Sequence, residues 1–155
     1  MDLKFVIFTK HHFPEYLSWF KDPELNKHLG PMQENDEWLT FVLDQQLGLT
    51  ETKGQTYSVF HEDKLVGVIG IDFPDINTDA FVISSLAVRP VYRGTGIGKA
   101  ILKKITEILP YTAEHFLITY VSDDNGKALE FFLKNGWSCI SKPPENNNMF
   151  LLKKQ

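Results

Sequence analysis

Three glycines at alternate positions, Gly94, Gly96 and Gly98, stand between a strand-like run and a helix-like run. No other feature restricts the fold of this chain as much. Upstream, Ala80–Val88 is rich in β-branched and apolar residues, as a strand requires. Downstream, Ile97, Ile101, Leu102, Ile105, Ile108 and Leu109 form an apolar stripe over Gly96–Leu109, and Pro110 stops the helix. With no side chains in the way, the loop's backbone N–H groups can turn inward. The helix adds the unpaired N–H groups of its first turn and the positive end of its dipole. The result is an anion cradle suited to phosphate.

The familiar phosphate loops do not fit. Aligning a Walker A pattern on Gly98-Lys99 puts Arg93 at the first glycine and Ala100 at the hydroxyl. The dinucleotide pattern ends on Lys99 or Ile101 instead of glycine. A nucleotide hydrolase and a dehydrogenase are therefore disfavoured. Charge supports an anionic ligand at this spot: Arg89–Thr106 carries five positive charges and no acid, within a chain of net charge −4. That acidic balance argues against a nucleic-acid binder. With 155 residues the chain reads as a single domain over 1–155. One cysteine, Cys139, excludes an internal disulfide and a multi-cysteine zinc site, and the five histidines lack metal-ligand spacing, so no metal is expected. No apolar run approaches membrane-spanning length, so neither membrane nor export is expected, and the chain reads as cytoplasmic.

The remaining patterns predict strands over Leu3–Phe8, Gln55–His61, Lys64–Phe73, Phe116–Val121, Trp137–Ser141 and Met149–Leu152. Helical stripes cover His12–Phe20, Glu37–Leu49 and Asn125–Asn135, the last ended by Gly136. Lys142–Asn148 reads as a polar turn. The order fits an α/β chain with a mixed sheet and helices on both faces.

Arg93-Gly94-Thr95-Gly96-Ile97-Gly98 resembles the Arg/Gln-x-x-Gly-x-Gly/Ala signature of the GNAT superfamily of N-acetyltransferases, entered by the strand Leu86-Ala87-Val88-Arg89-Pro90. Asn125-x-x-Ala128-x-x-Phe131-Phe132-x-x-x-Gly136-Trp137 is similar to that family's second motif. The resemblance spans roughly Ile83 to Trp137. It implies a central mixed, mostly antiparallel sheet of six or seven strands. It also implies acetyl-CoA as co-substrate. The backbone of Leu86, Ala87 and Val88 would then pair with the pantetheine arm, and the N–H groups of Arg93, Gly94, Thr95, Gly96, Ile97, Gly98 and Lys99 would hold the pyrophosphate. Asn125 and Ala128 would adjoin the pantetheine, with Phe131 and Phe132 at the thioester end.

Two family features are replaced. Phe132 stands where many relatives carry a tyrosine acid, and Val82 where many carry a glutamate. Candidates for the base are Asp72, the acids of Glu34–Glu37, and a water held by strand carbonyls with Ser84 or Ser85. Tyr120 is the candidate acid. The family's acceptor meets the N-terminal helices, which here are acidic and aromatic, with Trp19, Glu34, Asp36 and Trp38 as candidate contacts. The expected function is acetyl transfer to a primary amine of a small cationic molecule. The alternatives are acetylation of a protein N-terminus of the ribosomal-protein type and a non-catalytic acetyl-CoA-binding regulatory module. Dimers are common in the family, and the C-terminal strands offer an edge for a homodimer.

Overall fold

In the computed structural model, which describes residues 1–34 and 37–154, one seven-stranded sheet runs in the order β1-β2-β3-β4-β5-β7-β6. Its strands are β1 (Lys4–Ile7), β2 (Gly54–His61), β3 (Lys64–Asp72), β4 (Ala80–Val88), β5 (Phe116–Ser122), β6 (Trp137–Ser141) and β7 (Glu145–Lys154). Every neighbouring pair is antiparallel except β4 and β5. The mostly antiparallel mixed sheet implied by the sequence is the one observed.

Helices cover both faces. On one, α4 (Ile97–Ile108) and α5 (Gly126–Lys134) pack Ile97, Ile101, Ile105 and Phe132 against Ile69, Ile71, Phe81 and Ile83. On the other lie α1 (Phe13–Ser18), α2 (Pro23–Leu29) and α3 (Glu37–Gln46), with Phe13, Tyr16, Phe20, Leu25 and Val42 around Val68 and Ala87. Among the described residues no helix is long and apolar enough to cross a membrane.

The structure departs from the sequence reading in three places. The stripe over His12–Phe20 is a short α-helix between two 3-10 turns, Lys10–His12 and Trp19–Lys21. A further helix, α2, comes next in the chain, with Asp22 as its N-cap and Pro23 in its first turn. The last strand begins at Glu145, so the polar turn shrinks to the two prolines and Lys142, and an extended hairpin replaces a loop.

The ladder between β3 and β4 is irregular at one point. Ser85 pairs with Gly70 and Ile83 with Ile71, leaving Ser84 as an inserted residue in β4. Such a bulge puts two successive side chains on the same face. Phe81 and Ile83 accordingly face α4, whereas Ala87 faces α1 and α2.

Candidate active site

The site lies where β4 and β5 part. Their pairing runs from Ala80 opposite Phe116 to Ile83 opposite Thr119 and goes no further. The Thr119 hydroxyl closes it by donating to the Ile83 carbonyl at 2.9 Å. Beyond this point β5 pairs with β7 while β4 stays on β3, so residues 84–88 keep one edge without a strand partner. The Arg89 N–H bonds to the Val66 carbonyl at 2.9 Å, and hydrogen-bonded pairs alternate along an antiparallel ladder. Ala87 therefore directs its N–H and C=O to Val68, and those of Leu86 and Val88 face the splay. Of the three residues expected to pair with a pantetheine arm, Leu86 and Val88 turn their backbone groups to the splay; those of Ala87 are engaged within the sheet.

A cleft of about 310 Å³ opens along this edge. Leu86 and Val88 form its floor; Asn125, Ala128, Phe131 and Phe132 line one side and Glu24, Leu25, His28 and Leu29 of α2 the other. Two ion pairs fasten α2 to the start of α5, Lys127 to Glu24 at 3.5 Å and Lys27 to Asp124 at 3.9 Å. Asn125 caps α5, its Oδ1 accepting from the Ala128 N–H at 3.2 Å, which leaves its NH₂ group for a ligand. Gly98 lets the elements close up: a Cβ there would stand 3.1 Å from the Phe131 ring.

At the mouth of the cleft is the glycine loop. Gly94 and Gly96 have φ of +75° and +92°, and a Cβ at either would meet nothing within 4 Å. Conformation, not space, demands glycine there. The N–H groups of Arg93 and Thr95 are engaged within the turn, donating to Pro90 at 3.2 Å and Tyr92 at 3.3 Å. Those of Gly94, Gly96, Ile97, Gly98 and Lys99 have no backbone partner among the described residues. An open cradle of N–H groups at a helix N-terminus, continuous with an unpaired strand edge, fits a diphosphate joined to an amide-bearing arm. Lys99 lies exposed beside it. Arg93 is turned toward Asp22, which raises the guanidinium pKa further above its usual value.

A second cleft, of about 270 Å³, lies over the opposite face of β2–β4. Tyr16, Trp38, Phe41 and Val42 wall it, Gln45, Thr56, Ser84 and Ser85 are its polar residues, and it shares His28 and Leu29 with the first. The two clefts thus meet under α2, at the splayed end of β4. His28 is nearly enclosed, its side chain 15% exposed, with Nε2 3.8 Å from Glu24 and Nδ1 4.0 Å from Asp124. Sequence spacing assigns His28 no role, because its neighbours in the site come from α5's cap and from β4.

Trp38 lines the second cleft, but Trp19 is buried in the core, its indole N–H 3.4 Å from Glu15. Glu34 is exposed and lines neither cleft, and Asp36 lies outside the described residues. Tyr120 is 45% exposed on β5 opposite Leu151 and lines neither cleft. Asp72 pairs across the sheet with Val82. Its carboxylate accepts from Gln45 Nε2 at 3.1 Å, and burial pushes its pKa up against that hydrogen bond. Gln45 lines the second cleft and Asp72 stands behind it. No group of three or more metal-ligating side chains occurs among the described residues.

This architecture is that of a known enzyme family. The sequence profile of the acetyltransferase (GNAT) family matches residues 10–137, and the chain belongs to that family. It is an N-acetyltransferase by family. A curated relative, the uncharacterised N-acetyltransferase YfmK of Bacillus subtilis, is 24% identical over 135 residues, covering 86% of this chain and 84% of that protein. Among solved structures, the spermidine N-acetyltransferase of Vibrio cholerae in complex with CoA and spermine superposes with a TM-score of 0.75 at 11% identity, covering 97% and 92% of the two chains. Arabidopsis thaliana Naa50 in complex with a bisubstrate analogue, CoA-Ac-MVNAL, superposes with a TM-score of 0.66 at 18% identity, covering 100% and 99%.

Proposed function

We propose that the chain transfers the acetyl group of acetyl-CoA to a primary amine of a small cationic molecule. The observation that carries this reading is the meeting of two clefts at His28 and Leu29. The first joins a phosphate cradle to a free strand edge, as a coenzyme with a diphosphate and two amides requires. The second is small and has aromatic walls. At about 270 Å³ it lies near the lower limit for ligand sites and suits a small amine better than a peptide N-terminus.

The chemistry is attack of a neutral amine nitrogen on the thioester carbonyl carbon. The C–N bond forms, the C–S bond breaks, and the thiolate leaves. An alkyl amine with pKa ~10.4 is almost wholly protonated at pH 7, and freeing its lone pair costs roughly 4–5 kcal/mol. Asp72 supplies a carboxylate one strand away from Val82, where relatives carry glutamate, and its raised pKa suits a base acting through water. The thiol, with pKa ~8.5 by analogy with cysteine, leaves without the acid that Phe132 cannot provide. Of the backbone donors at the splay, Val88 and Leu86 are turned to stabilise the oxyanion.

The test is thiol release from acetyl-CoA by the purified chain against a panel of primary amines. Release that saturates with one small amine supports the reading. Slow release with every amine, alongside tight coenzyme binding, would favour a regulatory module.

A further inference from the structure

The register of the sheet gathers three hydroxyl groups at one point. Thr56 on β2 lies opposite Gly70 on β3, and Gly70 lies opposite Ser85 on β4. The bulge adds Ser84 to the same face. A Cβ on Gly70 would stand 2.8 Å from Ser84 Oγ, 3.0 Å from Ser85 Oγ and 3.6 Å from Thr56 Oγ1. The hydroxyls therefore surround a notch that exists because residue 70 has no side chain. Thr56, Ser84 and Ser85 all line the second cleft.

The three hydroxyls make no hydrogen bond to another described residue and open to the cleft, Ser84 exposed and Ser85 half-buried. The enclosed hydroxyls nearby are paired instead. Ser58 is paired with His12 Nδ1 at 2.8 Å, and Thr119 with the Ile83 carbonyl at 2.9 Å. Hydroxyls that open to a cleft without a protein partner can bond a polar ligand in place of water.

We propose that Thr56, Ser84 and Ser85 form the seat of the acceptor nitrogen; this rests on the transferase reading and deepens it. A neutral primary amine has two N–H groups, so two of the three hydroxyls accept from it while its lone pair stays open. A carboxylate in the same place would favour the ammonium and hold the lone pair closed. Neutral oxygens orient the nitrogen while favouring its ammonium form far less than a carboxylate would. The seat uses more than one N–H, so it selects primary amines over their N-methylated counterparts. Trp38 and Phe41, on the wall of the same cleft, suit an acceptor with a flat apolar body.

The experiment uses the full chain with acetyl-CoA and 2-phenylethylamine, its N-methyl derivative and spermidine, read by thiol release. The seat requires 2-phenylethylamine to be a better acceptor than its N-methyl derivative. Thr56→Val, which keeps the shape and removes the hydroxyl, and Ser84→Ala should each raise KM for the amine about tenfold. Coenzyme affinity and melting temperature should stay unchanged. Gly70→Ala, which fills the notch, should do more. Wild-type turnover with variants that match it in KM would overturn the seat and leave the transferase reading standing. A preference for the N-methyl amine over 2-phenylethylamine would also overturn it. If coenzyme binds but no amine releases thiol from the wild type, the transferase reading falls and the seat falls with it.

Discussion

Arg93 grips both carboxylate oxygens of Asp22, with Nη1 donating to Oδ1 at 2.9 Å and Nη2 to Oδ2 at 2.5 Å. The glycine loop is thereby tied to the N-cap of α2, the helix that lies over the splay. Asp22 also accepts from the Leu25 N–H at 3.1 Å. In the proposed donor site, a diphosphate would compete with this carboxylate for the loop's arginine.

Asp22→Asn should keep the cap and release Arg93. The expected outcome is coenzyme A affinity raised severalfold by calorimetry, with no more than about 1 kcal/mol of stability lost, because the pair is partly exposed. The Arg93 hydrogen bond holds the Asp22 carboxyl below its usual range. Its stabilisation is thus complete above the unfolded value near ~3.9 and is lost as pH falls through the lower folded value. Melting curves of the two proteins should differ at pH 7 and converge as pH falls through the folded value.

Asp72 has the opposite sign. Burial raises its pKa, so its contribution to stability is greatest below ~3.9 and is lost as pH rises through the folded value. At pH 7 the wild type carries that penalty. Asp72→Asn should melt at the same temperature or higher, keep its coenzyme affinity and turn over at least about tenfold more slowly, as loss of a general base implies. Unchanged turnover would remove Asp72 from the mechanism.

Phe132 is buried against Trp137, with ring centroids 4.9 Å apart, and it also lines the first cleft. Phe132→Tyr restores the family's hydroxyl. If thiolate departure needs no acid, kcat should stay within about twofold of wild type, since a thiol of pKa ~8.5 is a good leaving group. A large gain in kcat would show that the missing acid limits this enzyme.

The glycine loop and one wall of the first cleft are legible in the sequence because their residues are local. Gly94 and Gly96 lead into α4 and Gly98 lies in its first turn, and Asn125, Ala128, Phe131 and Phe132 recur at helical spacing. The second cleft is not legible there. Thr56, Gly70 and Ser85 become neighbours only through the order and register of three strands, and Ser84 joins them through a bulge that no residue pattern announces. The same register sends Ala87's backbone groups into the sheet, which no motif could reveal. By contrast, α2 has a readable start in Asp22-Pro23, an N-cap with proline at the first helical position. It escapes a reading by periodicity because Leu25 is its one fully buried residue, too little for an apolar stripe. The acids expected around the acceptor rest on composition, and Glu34 proves to lie at the surface, away from both clefts.

The most direct measurement is a thermal-shift titration with acetyl-CoA, coenzyme A and ATP, on the wild type and on Gly96→Asp. Gly96 has φ +92° and open space around it, so the variant adds a carboxylate to the cradle without a clash. Aspartate visits the left-handed region more readily than most residues, which keeps the backbone cost small. At ~100 times the dissociation constant, ligand should stabilise the wild type by about 2.7 kcal/mol. Such a shift is expected with acetyl-CoA and coenzyme A, none with ATP, and Gly96→Asp should lose it. A folded wild type that no coenzyme stabilises would contradict the assignment of the glycine loop and the strand edge as the donor site.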